Sequence, residues 1–139
     1  QKRNIHTMIP SKHTTIKDLD IVTYAFNDKI FVNIHSKGAY TRSYYVPLRL
    51  SPGNQFFAHT EYDDEGEDIS NLPLTHLTPM SLIGGSNADT LGQIIAVQVA
   101  SQVVKDSPTE VRTVFVSIGR VSQDDYDDVL EGVKLCRVW

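Results

Sequence analysis

The stretch from Val111 to Leu135 constrains the fold more tightly than any other part of the sequence. Between Val111 and Ile118 the side chains alternate, with Val111, Thr113, Phe115 and Ser117 on one face and Arg112, Val114, Val116 and Ile118 on the other. A period of two belongs to a strand, and large apolar groups on both faces predict a central strand buried on both sides. Ser122 with Asp125 three residues on has the form of a capping box, and Asp124 and Asp125 stand at the positive end of a helix dipole. Tyr126, Val129, Leu130 and Val133 then recur at helical spacing, which predicts a helix from Ser122 to Leu135. It runs into Cys136-Arg137-Val138-Trp139, an apolar tail that suggests a small domain acting by docking.

Upstream, Leu91, Ile94, Ile95, Val99 and Val103 predict a second helix, ending near Asp106 because Pro108 disfavours helical geometry at Ser107. A short strand over Thr78 to Ile83 precedes it, separated by the turn residues Gly84-Gly85-Ser86-Asn87. Near the start, Asp20 to Phe26 and Lys29 to His35 are rich in β-branched and aromatic residues and flank Asn27-Asp28, the pattern of a two-residue hairpin. Ala39 to Val46 adds a third β-rich run after Ser36-Lys37-Gly38, which predicts a three-stranded meander. Two helices and about five to six strands give an α+β fold, with the helices packed on one face of a largely antiparallel sheet.

A chain of 139 residues suits a single domain, 1–139. Its 40% hydrophobic and 22% charged residues are ordinary for a globular protein. The composition shifts to Pro, Gly, Asn and acid between Ser51 and Pro73, and Glu61 to Asp68 cannot sit in a core, so 51–73 is expected to be a mobile acidic loop. The longest apolar stretch, Ile94 to Val104, is interrupted by Gln98, Ser101 and Gln102 and falls short of the ~20 residues a membrane span needs. No secretory signal is legible behind Gln1-Lys2-Arg3-Asn4, although a chain opening on Gln1 suggests trimming, and one cysteine forms no internal disulfide. The expected location is the cytoplasm, with the nucleus as a second. A net charge of −4 with little clustering of Lys and Arg argues against nucleic acid as a partner.

Chemistry finds little support in the residue pattern. His6, His13, His35, His59 and His76 lack the spacing of a metal site. Cys136, beside Leu135, reads as an inert core thiol. Gly84-Gly85-Ser86-Asn87 resembles an anion-binding turn but lacks the Lys and Ser/Thr of a phosphate loop, so a turn with a helix cap is preferred. Asp124-Asp125 and Asp127-Asp128 point to different sides of a helix and serve solubility and the dipole. The expectation is a binding protein with no catalytic residues, no metal and no cofactor.

One face of the sheet is left over. Ile21, Thr23 and Ala25 oppose Val22, Tyr24 and Phe26, and Ile30, Val32 and Ile34 oppose Phe31, Asn33 and His35, so both faces carry large apolar groups. Two helices cover only one of them, and an exposed aromatic patch drives association. Val22, Tyr24, Phe26, Phe31 and Tyr44 are the candidate partner-binding residues.

Ser81-Leu82-Ile83-Gly84, the Leu91 helix, the Val111 strand and Lys134 to Trp139 together resemble the proteasome assembly chaperone 3 family. Cys136-x-Val138-Trp139 is the sharpest match, and Ile21 to Phe26, Ile30-Phe31-Val32 and the Gly38 turn fit in the same order, about two thirds of the chain in all. The acidic stretch from Ser51 to Asn71 and the segment Gln1 to Asp18 depart from the pattern, as in a fungal-type relative. The resemblance implies a non-enzymatic chaperone that forms a heterodimer with the fourth proteasome-assembling chaperone, sheets face to face and helices outside. It further implies binding to 20S proteasome α-ring subunits, the fifth α subunit foremost, and departure before maturation. A dimeric adaptor of the longin or roadblock kind is the alternative.

Overall fold

A computed structural model describes residues 9–48 and 77–139. The acidic segment expected at 51–73 lies outside the described residues. In chain order the elements are β1 (Ser11–Ile16), β2 (Leu19–Ala25), β3 (Lys29–Ser36), β4 (Arg42–Val46), β5 (Met80–Ile83), α1 (Thr90–Asp106), β6 (Thr113–Gly119), a 3-10 turn (Gln123–Asp125) and α2 (Tyr126–Leu135). They form one six-stranded sheet in the order β1-β2-β3-β6-β4-β5, with β3 and β6 parallel and every other pair antiparallel. This is the α+β architecture read from the residue pattern.

The hairpin at Asn27-Asp28 forms as expected, with Ala25 opposite Ile30 and Phe26 N donating to Lys29 O at 2.8 Å. The meander does not. β6 enters between β3 and β4, pairing Phe31 with Phe115 on one side and Tyr45 with Phe115 on the other. The reason is core area: the strand whose Val114, Val116 and Ile118 are fully buried gains most at the centre, under the helices. β1 went unread because SKHTTI carries only Ile16 as a large apolar group; it is an exposed edge strand held by its ladder to β2.

Both helices cover one face. Ile95, Ala96, Val99, Ala100 and Val103 of α1 and Val129 and Val133 of α2 bury against Ile21, Ile30, Val32, Ile34, Tyr44, Val46, Val114, Val116 and Ile118. Asp89 caps α1, its carboxylate accepting from Gly92 N at 3.1 Å, and α1 ends at Asp106 as the following proline predicts. Ahead of α2, Asp125 accepts from Ser122 N at 2.9 Å, so the capping-box reading holds, although the first turn is 3-10. Close approach of α2 requires Gly132, where a Cβ would collide with Ile21 Cδ1.

The tail does not reach outward. Thr23 Oγ1 donates to Cys136 O inside the core, Trp139 Nε1 donates to Asp106 Oδ2 at 3.0 Å, and Val138 and Trp139 pack on the core's edge. An apolar tail this short is best buried by its own domain.

Candidate binding face

The second face of the sheet is built by the ladder register. Opposed residues share a face, so Tyr24, Phe31, Phe115, Tyr45 and Met80 stand in one row across β2, β3, β6, β4 and β5. Phe31 and Phe115 stack with centroids 4.9 Å apart, Tyr45 and Phe115 at 5.9 Å. Phe26 meets Phe31 edge-on at 5.5 Å and lies tilted against Tyr24 at 6.4 Å. None of these aromatics is fully buried, and no described helix packs over them. Such contacts hold the rings in place at a cost in order already met before anything docks.

The ends of the face are braced. Arg112 pairs with Glu110 in a forked contact of 2.7 and 2.8 Å and donates to Phe26 O at 3.0 Å, which pins the β2–β3 turn beside the aromatic row. The guanidinium holds the Glu110 carboxyl below the usual carboxylate range. At the opposite end Asp20 accepts from Thr15 at 2.7 Å and lies 3.3 Å from His13, and the Thr15 hydroxyl, first, then His13 hold its carboxyl below the usual carboxylate range. Between them runs a lane of Val22, Asn33, Ser117 and Ser43, where the two serine hydroxyls bond at 2.9 Å.

Val22, Tyr24, Phe26 and Phe31 all fall on this face, half-buried. Tyr44 does not. It is 1% exposed beneath α1, with its hydroxyl 2.5 Å from Asp89 Oδ2. Its neighbour Tyr45 occupies the face instead, since adjacent strand residues point opposite ways and β4 contributes Tyr44 and Val46 to the core. The expectation of a β6 buried on both sides is corrected likewise: Thr113, Phe115 and Ser117 remain half-buried. Residue pattern alone missed Phe115, Tyr45 and Met80 as members of the row. Alternation in β6 had placed Phe115 opposite the core valines, which was the available signal.

The glycine turn before α1 is filled from within. Arg42 Nε lies 2.5 Å from Asp89 Oδ2, outside hydrogen-bond alignment, and Tyr44 adds its hydroxyl, so a carboxylate of this chain already occupies the helix N-terminus. Burial first, then the Asp89 hydrogen bond, push the Tyr44 phenol up to about 12. On the helical side a groove of about 480 Å3 separates α1 from α2 and is edged by Lys105, Lys134 and Arg137. The two lysines are last-turn cations that complement the helix dipoles. Among the described residues no cluster of His, Cys, Asp and Glu is arranged to hold a metal ion, and no helix is long and apolar enough to cross a membrane.

The described residues thus define an α+β fold whose two helices lie on one face of a six-stranded sheet and whose aromatic row lies on the other. The chain superposes on a chain of a crystal structure described as a novel chaperone complex for yeast 20S proteasome assembly, with a TM-score of 0.59 and 16% identity, covering 92% of this chain and 97% of that one. No family model matches the sequence, and no curated protein matches it. The fold is therefore that of the yeast chaperone chain.

Proposed function

We propose that this chain is a non-enzymatic chaperone of 20S proteasome assembly and one half of a heterodimer. Its partner is a structurally similar chain, the fourth proteasome-assembling chaperone, packed sheet to sheet with helices outside. The pair binds α-type subunits, the fifth foremost, during α-ring formation, acts in the cytoplasm and nucleus, and leaves before maturation. The observation that carries the reading is the aromatic row of Tyr24, Phe31, Phe115 and Tyr45 on a sheet face that no described helix covers. Similarity of fold to a chain of the yeast assembly complex over nearly all of both chains supports it.

Association follows from the hydrophobic term, because each aromatic removed from water contributes about 25 cal/mol per Å2 of apolar area. Selectivity among neighbours in a ring follows from shape and hydrogen-bond complementarity, without ATP or a covalent step. The test is affinity capture at moderate salt of the wild-type chain and of Phe31→Glu. The expected result is recovery of a similar-sized partner and α-type 20S subunits, without mature β subunits, by the wild type only. A wild-type chain that stays monomeric and retains no α subunit overturns the reading, and recovery of membrane-traffic complexes would move it to the dimeric adaptors.

A further inference from the structure

In the lane beside the aromatic row, one polar side chain has no hydrogen-bond partner among the described residues. Ser43 and Ser117 satisfy each other at 2.9 Å. Asn33 stands next to Ser117 on the parallel ladder and opposite Val22 on the other side. Its side chain is half-buried on β3, two positions from Phe31, and makes no hydrogen bond to any described residue. A primary amide offers two N–H donors and a carbonyl acceptor. Water serves them in the free chain, but a second sheet laid over the face displaces that water, and a buried amide left unmet is costly.

We infer that Asn33 is the residue by which this face selects its partner: the covering sheet carries an amide or hydroxyl side chain that meets the Asn33 amide across the interface. The inference rests on the docking reading above and adds the chemistry of the occupant. Placed one step from the aromatic row, the amide penalises a wholly apolar surface and any register that slides the partner's polar group away. The aromatic row supplies non-directional attraction, which tolerates sliding; the amide supplies direction. A single polar residue within an apolar seam fixes register in this way in coiled coils.

The test compares Asn33→Thr with Asn33→Val, two side chains of nearly the same shape that differ in one hydroxyl, in binding to the fourth proteasome-assembling chaperone. Both are favourable strand residues, and thermal unfolding of each free variant checks that it folds. The expected result is that Val binds at least about ten-fold more weakly than Thr, a difference of about 1.4 kcal/mol, despite being the more apolar. Val binding as tightly as Thr, or more tightly, overturns the inference. Phe31→Glu, measured alongside, separates the two levels. If it abolishes binding while Val equals Thr, the docking face stands and the role of Asn33 falls; if it leaves binding unchanged, the docking face is wrong and both fall.

Discussion

Asp106 Oδ2 accepts a hydrogen bond from Trp139 Nε1 at 3.0 Å, and its Oδ1 lies 3.3 Å from Arg137 Nη1, so the last residue of α1 holds the tail that follows α2. Asp106→Ala is expected to release the indole into water. Trp139 is the sole tryptophan, so its emission reports the change directly, as a red shift in the native state. The partly exposed contact is worth about 1 kcal/mol, readable by denaturant unfolding.

Gly132→Ala tests how closely α2 lies on the sheet. A helix gains up to about 1 kcal/mol from such a change when nothing obstructs it. Here the added Cβ meets Ile21 Cδ1 in a fully buried layer, with Ile16 Cδ1 at 3.3 Å behind it. Overpacking costs about 1–3 kcal/mol, so the net outcome is a lower denaturation midpoint. A raised midpoint would mean that the helix shifts freely.

Alkaline pH should loosen the junction between β4 and α1. Tyrosine ionises near pH 10 in an unfolded chain, whereas Tyr44 is pushed up to about 12, by burial first and then by Asp89. The unfolded chain releases this proton first, so stability falls as pH rises from about 10 to 12, by on the order of 2 kcal/mol. Tyr44→Phe removes that slope. At neutral pH it costs about 1–3 kcal/mol, because the Asp89 carboxylate loses a buried donor. Unfolding free energy against pH for both proteins decides the matter.

The thiol of Cys136 should be slow. It is 1% exposed, and burial raises its pKa, so little thiolate forms near neutrality. Modification by an alkylating reagent at pH 8 is expected to accelerate at least about ten-fold in denaturant. Equal rates folded and unfolded would contradict the packing of the tail.

Local periodicity carried much of this fold. Both helices, the Asn27-Asp28 hairpin and the alternation in β6 follow from residue spacing, because each concerns neighbours in the chain. The insertion of β6 between β3 and β4 does not, since nothing in the Ala39 to Val46 run distinguishes pairing with the strand before it from pairing with one that arrives later. The face was readable along β2 and β3, where apolar types differ by side. It was misread at Tyr44-Tyr45, two identical residues whose phase is set by the core they join. The Arg42–Asp89 pair was likewise silent, as it links a strand to a helix cap across the fold.

Inserting β6 at the centre of the sheet also governs when the protein exists. Ser43 and Ser117 touch although they are 74 positions apart, and β4 has no other central neighbour. During synthesis β2 and β3 can zip at once, but β4 waits with its backbone edge bare until β6 leaves the ribosome. Long-range closure of this kind is slow, and the waiting strand is open to wrong pairings. The sheet therefore closes late, only once its central strand has been made.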